Sequence, residues 1–520
     1  MNRRFWIFFS VIIFGATALR TLQLSQRPMH TDEAVHASKF GELLERHSYR
    51  YDPFEYHGPT LNYFTLITAW SSGSLTLQNV SETTLRLVPA FFGLALLLLF
   101  LPVKRELGSG AVLLAALLTA VSPAMVFFSR YYIQEMLLVC FSFAALMCGW
   151  RFINEGKRVW AVLAGLFIGL MHASKETFII PLAAAVIAGV IVWRFKKPSW
   201  RIKPSGVLWM AVAAVGVSAL FFSSFGQNPQ GIIDSILTYK TYLARAAGSH
   251  QAHLHPWYYY LQLLAFNHLP SRPVWSEGFI LFWFLVGLVW TFYHRRTIPS
   301  FLLLCLIYSG LVFLIYSALS YKTPWTMLGF YQPLIFCTAV MSIEMYEQVR
   351  SWSRRLLVFV LGLSTLYMLV QAILLNFRYY ADPSNPYVYG HTSNDIFKIV
   401  ERVKQIARAH SQGNNMYMEV ICSGDDYWPL PWYLRSMKRV GYWNHVNMQL
   451  PVPQLVIASP DLEEQLLQKV YELPPSGERN MYVPLFDDYT ELRPGVEIRG
   501  YVTKELWDQF WQHSDTPPAP

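Results

Sequence analysis

The chain has 520 residues, of which 53% are hydrophobic, 16% aromatic and only 14% charged. Soluble proteins carry about 25% charged residues, so low charge with apolar runs near transmembrane length excludes a soluble globular chain and gives a polytopic membrane protein. The net charge of +9 would fit a nucleic-acid binder, but the basic residues fall in short loops between apolar runs, where the positive-inside rule accounts for them.

The first apolar segment, Phe5 to Leu22, lies behind Arg3 and Arg4 and lacks a small-residue cleavage site, so it reads as a retained signal anchor. Spans are expected at about 5–24, 84–103, 110–128, 135–154, 158–173, 177–194, 206–225, 276–294, 298–318, 325–343 and 355–377. The stretch Leu61 to Trp70 is short and carries Asn62, Tyr63 and two threonines. If it does not cross, six basic clusters face the cytoplasm together: Arg3/Arg4, Lys104/Arg105, Arg151/Lys157/Arg158, the run from Arg194 to Lys203, Arg295/Arg296 and Arg350/Arg354/Arg355. Residues 61–76 are therefore expected as a juxtamembrane or re-entrant helix, which gives eleven spans. Residues 25–83, 129–134, 174–176, 226–275, 319–324 and 378–520 then lie outside. The N-terminus is then cytoplasmic, and the C-terminal domain is external or periplasmic.

The polar, proline-bearing stretch after Phe377 marks a boundary, so the chain divides into a membrane domain, 1–377, and a soluble-type domain, 378–520. In the second, Asp395 to His410 is an amphipathic helix with Asn394 as its expected cap. Strands are expected at 415–421, 455–458, 481–485 and 496–502, helices at 432–438 and 461–470, and a turn at Gly424-Asp425-Asp426, which together make a small α/β domain. Four cysteines fall in spans and Cys422 stands alone in the outer domain, with no CxxC or zinc spacing. No GxGxxG or Walker A sequence points to a nucleotide.

The chemistry gathers at one level, near the outer headgroups. Met29-His30-Thr31-Asp32-Glu33-Ala34-Val35-His36 follows the first span, and Glu55-Tyr56-His57-Gly58-Pro59 belongs to the same loop. Further loops read Ser129-Arg-Tyr-Tyr-Ile-Gln-Glu135, His172-Ala-Ser-Lys-Glu176, His250-Gln-Ala-His-Leu-His-Pro-Trp-Tyr-Tyr-Tyr260 and Ser320-Tyr-Lys-Thr-Pro-Trp325. A carboxylate at such a boundary, above all Asp32, can deprotonate an acceptor hydroxyl. Cations at this level, Arg130, Lys175 and Lys322, either snorkel or hold a lipid phosphate. Trp257 to Tyr260 reads as an interfacial aromatic belt. The histidines at 250, 253 and 255 read as metal ligands or as an ordinary polar loop.

These pieces resemble a known superfamily. Asp32-Glu33 in a first external loop is similar to the Asp-Glu motif of the GT-C glycosyltransferases, among them the protein O-mannosyltransferases and the lipid A aminoarabinose transferase. Arg86-Leu-Val-Pro-Ala-Phe-Phe-Gly93, the loop ending at Glu135 and His255-Pro-Trp-Tyr-Tyr-Tyr260 belong to the same likeness. His30-Thr-Asp-Glu-Ala34, Tyr56-His-Gly-Pro59, Ser174-Lys-Glu176, Tyr321-Lys-Thr-Pro-Trp325 and Gly424-Asp-Asp-Tyr-Trp-Pro-Leu-Pro-Trp-Tyr433 more narrowly resemble a prokaryotic family called flippase-activity-associated, linked to archaeal protein N-glycosylation.

The resemblance implies a GT-C fold and an inverting transfer of a hexosyl or pentosyl group from a polyprenyl-phosphate donor to a hydroxyl on a lipid, glycan or protein. By that implication Asp32 is the general base, with Glu33 beside it. Glu135 is a second acid that supports the acceptor or a divalent metal such as Mg or Mn, although the residues themselves define no metal-ligand set. Arg130, Lys175 and Lys322 are the candidate phosphate ligands. His57, Glu176, His255, Tyr258, Trp325, Asp425, Asp426 and Trp428 are the expected substrate-binding residues. In the stretch from Gly424 to Tyr433 the tryptophans either stack on a sugar or belong to a core. Two rival readings are a lipid-linked-sugar flippase or its helper, and a membrane-anchored glycan-binding protein. A flippase needs polar groups at mid-span, where these spans carry almost none.

Overall fold

A computed structural model describes residues 3–54, 57–196, 202–247, 253–294 and 298–512, with the side chains of 241–247 left out. Glu55, Tyr56, His250, Arg295 and Arg296 lie outside the described residues.

Helices dominate the first 377 residues. They are α1 Arg3–Thr21, α2 Thr31–Arg46, α3 Thr60–Ser71, α4 Glu82–Leu98, α5 Lys104–Val121, α6 Pro123–Ser129, α7 Glu135–Glu155, α8 Arg158–His172, α9 Ile179–Lys196, α10 Pro204–Phe222, α11 Gln230–Ala247, α12 Tyr259–Ala265, α13 Gly278–Tyr293, α14 Ser300–Ala318, α15 Leu328–Gln348 and α16 Ser351–Phe377. Among the described residues, eight helical segments are long and apolar enough to cross a membrane. One of these, Glu82–Val121, holds both α4 and α5, and α8 and α13 are shorter apolar helices besides. The α3 segment has only 12 residues, too short to cross a bilayer at 1.5 Å per residue.

The run expected as one span over 110–128 is two helices. Pro123 cannot continue α5, and the Ser122 hydroxyl accepts the Met125 N–H to start α6. Small residues let the helices approach closely. A Cβ added to Gly165 or Gly169 of α8 would stand 2.1 Å from the Met210 carbonyl oxygen or 2.5 Å from that of Ala214, both in α10. The four-residue spacing of two glycines against a neighbouring helix is the membrane form of close packing.

By contact the chain forms two units. The first holds 1–24, 42–75 and 81–389; the second holds 25–41, 76–80 and 390–520. The second unit is thus discontinuous in sequence and takes in the Asp32 segment, whereas the sequence division was drawn at 378. Its elements are α17 Asp395–Ala409, β1 Tyr417–Ile421, α18 Leu430–Tyr433, β2 Arg439–Trp443, β3 Leu455–Ala458, α19 Glu463–Leu467, β4 Tyr482–Pro484, β5 Glu491–Arg493, β6 Val496–Glu497, β7 Arg499–Thr503 and α20 Lys504–Gln512. The main sheet runs β2-β1-β3-β7-β4, parallel at β2-β1-β3 and antiparallel beyond. β5 and β6 form a separate pair.

The helix at 395 buries Ile396, Ile399, Val400, Val403, Ile406 and Ala407, the stripe its period dictates. Its first free N–H, that of Asp395, goes to the Ser393 hydroxyl and not to the Asn394 side chain. The helix expected over 432–438 ends by Tyr433 and is followed by strand β2, which the sequence pattern did not show. Glu419 and Lys469 make a fully buried ion pair at 2.8–2.9 Å between β1 and the turn after α19.

Candidate functional site

The Asp32 segment opens α2, and its neighbours explain how two adjacent acids come to differ. His30 precedes the first helical residue, and its N–H donates to Glu33 Oε2 at 3.0 Å. This is the return bond of a capping box, made by the acid three positions on. Glu33 Oε1 takes Arg27 at 3.3 Å, and the Glu33 side chain is fully buried. Asp32 points the other way, about 100° round the helix, and its side chain is 44% exposed. The Asp32 N–H donates to His30 Nδ1 at 3.0 Å. That bond makes Nδ1 an acceptor and puts the ring proton of a neutral His30 on Nε2. Asp32 Oδ2 lies 3.8 Å from the same nitrogen. Glu33, expected among the catalytic residues, is here a buried brace for the turn, and Asp32 alone presents a carboxylate to solvent.

Residues late in the chain hold this turn. The Met29 N–H donates to the Tyr433 hydroxyl at 2.8 Å, and Thr392 donates to the Met29 carbonyl at 2.6 Å. Arg493 donates to the Thr31 hydroxyl at 3.1 Å, to the Trp428 carbonyl at 2.8 Å and to Asp426 at 2.5 Å. Gly424 and Asp425 both take positive φ, 66° and 60°. That left-handed pair turns the chain so that Asp425 and Asp426 stand exposed. The two tryptophans of this stretch divide. Trp432 is core, under Arg435 at 3.8 Å, whereas Trp428 is half-buried. Arg435 and Arg493 carried no mark in the sequence, because the partners that matter here lie hundreds of residues away; Arg27 is only six residues from Glu33, but their pairing depends on how the turn folds.

The membrane unit carries a second set of charges. Glu135 is the first residue of α7, where the helix dipole favours an anion, and Lys175 makes a short ion pair with it. Burial works to lower the Lys175 pKa, but the Glu135 carboxylate outweighs it and holds it above the ordinary lysine value. Next in sequence, Glu176 accepts from the Tyr51 hydroxyl at 2.9 Å and lies 2.9 Å from His57 Nδ1. The His57 loop sits here because Gly58 touches the chain at Ala173. A Cβ on Gly58 would stand 2.3 Å from the Ala173 carbonyl oxygen, to which the Thr60 N–H donates at 3.0 Å.

Lys322 is buried and donates to the carbonyls of His255, at 3.0 Å, and Leu319. Among the described residues no carboxylate lies within 4 Å of its ammonium, and burial lowers its pKa. His255 stacks on Tyr259 with ring centres 4.1 Å apart. Burial, the His253 ring and the Lys322 charge together hold the His255 pKa below the ordinary value. Tyr389 lies 2.6 Å from His253 Nδ1, and burial pushes its phenol up to about 12, so it stays protonated at neutral pH. Trp325 is buried and meets Tyr131 and Tyr389 edge-on. Tyr258 is exposed.

Arg130 has a different task. Its guanidinium donates to the carbonyls of Leu19, Leu22 and Gln23, closing the end of α1. Arg20 returns the favour to Thr119 and Ala120 at the end of α5, and Arg86 donates to Leu24 at 2.6 Å. Glu277 was also missed by the sequence reading. It is fully buried and accepts from the Ser122, Tyr331 and Tyr387 hydroxyls and the Ala124 N–H, each at 2.6 Å.

Two cavities adjoin in the membrane unit. One, of about 500 Å³, is lined by apolar side chains including Leu146, Phe152, Ile168, Val186, Trp193 and Leu304. The other, of about 40 Å³, is lined by Glu135, Lys175, Tyr316 and Trp325 among others, and shares Ser142 and Pro181 with the first. No group of three His, Cys, Asp or Glu side chains among the described residues is arranged for a metal. At Glu135 the Lys175 ammonium stands against the carboxylate.

Residues 64–222 match a family model described as dolichyl-phosphate-mannose-protein mannosyltransferase. No curated protein sequence matches the chain. The structure is similar to that of ArnT from Cupriavidus metallidurans in the apo state, with a TM-score of 0.63 at 15% identity over 96% of this chain and 98% of that one. For ArnT bound to undecaprenyl phosphate the TM-score is 0.60 at the same identity and coverage. It is also similar to the oligosaccharyltransferase of Archaeoglobus fulgidus, with a TM-score of 0.58 at 13% identity over 89% of this chain and 70% of that one. At these identities the likeness establishes the fold: this is a multi-pass membrane protein of GT-C architecture with a small C-terminal α/β unit.

Proposed function

We propose that this chain is a membrane glycosyltransferase that moves a sugar from a polyprenyl-phosphate donor to an acceptor hydroxyl on the external face, with inversion. The observation that carries the reading is the pair of neighbouring cavities: an apolar volume of about 500 Å³ shares Ser142 and Pro181 of its wall with a small one lined by Lys175. Apolar room ending at a buried cation fits a prenyl chain with a phosphate at its head. Lys322 strengthens it, as a buried ammonium with a third N–H donor beyond the two it gives to carbonyls.

The acceptor oxygen attacks the anomeric carbon while Asp32 takes its proton. The new C–O bond forms as the bond from the anomeric carbon to the phosphate oxygen breaks, and the phosphate leaves with the electron pair. Lys322 and Lys175 take up the charge that grows on the departing phosphate. Glu33, Arg27 and His30 keep the Asp32 turn in shape, and His57 and Glu176 act around Lys175. Asp425, Asp426 and Trp428 offer carboxylates and an aromatic face to a sugar-bearing acceptor.

Purified protein incubated with undecaprenyl-phosphate-linked hexoses and pentoses should release undecaprenyl phosphate from at least one donor. Failure with every donor, by protein that remains folded, sinks the reading. The face is tested separately: cysteines placed at Ser48 and Ser81 should both react with an impermeant thiol reagent in intact cells.

A further inference from the structure

The three bonds of Arg493 join two stretches of chain that the proposed reaction uses separately. Its NH1 donates both to the Thr31 hydroxyl, one residue before Asp32, and to the Trp428 carbonyl, and its NH2 donates to Asp426. The side chain is only 13% exposed, so its guanidinium works in a partly desolvated setting, where charged hydrogen bonds are strong. Its strand is itself fixed. The Ser393 N–H donates to the Leu492 carbonyl at 2.8 Å, next to Thr392, which holds Met29. The Glu491 N–H donates to Asp395 at 3.3 Å. β5 is thereby anchored at the two residues that lead into the one that reaches the Asp32 turn.

We propose that Arg493 is a positioning residue that sets the Gly424–Trp428 loop in register with the first turn of α2, so that a sugar hydroxyl held by Asp426 and Trp428 is presented to Asp32. The inference rests on the reading of Asp32 as the base. A planar guanidinium with donors on two nitrogens can hold a hydroxyl, a carbonyl and a carboxylate in one fixed geometry, which an ammonium cannot. Asp426 is 55% exposed even while it is paired, so one face of its carboxylate is open to an acceptor hydroxyl.

The test uses the full chain with Arg493→Ala, Arg493→Lys and Thr31→Val. Amide hydrogen exchange is read at residues 29–36 and 424–428. Release of undecaprenyl phosphate from undecaprenyl-phosphate-linked hexoses and pentoses is read with methyl glycosides as acceptors. Arg493→Ala should speed exchange about tenfold in both stretches and leave β1 and β3 unchanged. It should also lower kcat about tenfold at unchanged donor KM. Thr31→Val should reproduce the change at 29–36. Arg493→Lys keeps the charge beside Asp426, so it should regain the thermal stability lost in Arg493→Ala but not the kcat. Exchange at 29–36 that stays at the wild-type rate in Arg493→Ala overturns the coupling. Kcat restored in full by lysine also overturns it, because charge alone would then suffice. If wild-type protein releases no undecaprenyl phosphate from any donor, the underlying reaction fails, and the exchange rates alone decide whether Arg493 joins the two stretches.

Discussion

In the first turn of α2, a buried acid, Glu33, is neutralised by Arg27 and a backbone N–H, and the acid beside it, Asp32, is left in contact with water. Around Lys322 the arrangement differs: the charge is a buried cation, and among the described residues its hydrogen bonds go to carbonyl dipoles. Around Lys175 the charge is buried and already paired with Glu135. A proton acceptor needs a carboxylate free to meet an incoming hydroxyl. A phosphate site gains from a desolvated cation, because the attraction is stronger where water is excluded. The two regions therefore place charge differently, one leaving a carboxylate in water and the other keeping ammonium groups out of it, as the proposed base and the proposed phosphate ligands require.

The sharpest way to break this contrast is at Asp32. Asp32→Asn keeps the shape and loses the proton acceptor, so turnover should fall by roughly 10²–10⁴ with donor binding nearly unchanged. Measured kcat near wild type would remove the base from the exposed turn.

Lys175→Met leaves Glu135 buried without its cation. Breaking a buried pair in this way costs about 3–5 kcal/mol, so the loss should appear first as a lower Tm. Lys322→Met leaves no carboxylate stranded and should be better tolerated in stability. Its effect belongs to the donor, with affinity weaker by about 1.5–3 kcal/mol for a charged hydrogen bond. Titration of undecaprenyl phosphate into both variants tells the cases apart: unchanged affinity in each would leave both lysines as structural cations.

The Lys322 pKa also predicts a pH limb. Burial lowers it, so the ammonium is lost at a pH below the ordinary lysine value of about 10.4. Phosphate needs the protonated form, hence donor affinity should be full at neutral pH and fall as the pH rises through the lowered value. An affinity flat to pH 10.4 or so in wild type, with Lys322→Met equally flat, would exclude the lysine as the ligand. The smallest effect on turnover is expected of Glu33→Gln, which keeps an acceptor for His30 but loses the charge facing the buried Arg27. A lower Tm, on the scale of about 3–5 kcal/mol for breaking a buried ion pair, with turnover reduced far less than in Asp32→Asn, is the outcome that separates brace from base.

Much of this was legible in the sequence, for physical reasons. A bilayer demands long apolar helices, so apolar run length marked where they run, and loop charge marked their ends. The break at Ser122-Pro123 was visible in principle, since Pro followed a good cap, but an unbroken apolar run hid it. Asp32 stood out because a carboxylate pair at a membrane boundary is conspicuous. Its difference from Glu33 was not legible, since it depends on Arg27 and on the direction in which a helix begins. Arg493, Glu277 and the Glu419–Lys469 pair were invisible for a common reason. Each is an ordinary polar residue in its own neighbourhood and becomes notable only through partners brought by folding. Arg130 shows the converse: its loop position fitted a lipid phosphate, whereas its guanidinium closes the end of a helix more than a hundred residues earlier.

The bonds that fix the Asp32 turn set an order in time. Met29 waits for Thr392, 363 residues on, and for Tyr433, 404 residues on; Thr31 waits for Arg493, 462 residues on. At ribosomal speeds of about 5–20 residues per second, the partners arrive roughly 20 to 90 s after the turn itself has been made. During that interval the apolar helices can enter the bilayer with the turn held only by its local bonds among Arg27, His30 and Glu33. A chain halted before residue 493 would lack the Thr31 brace and would hold the turn only by the bonds of Glu33 to Arg27 and His30 and of Met29 to Thr392 and Tyr433.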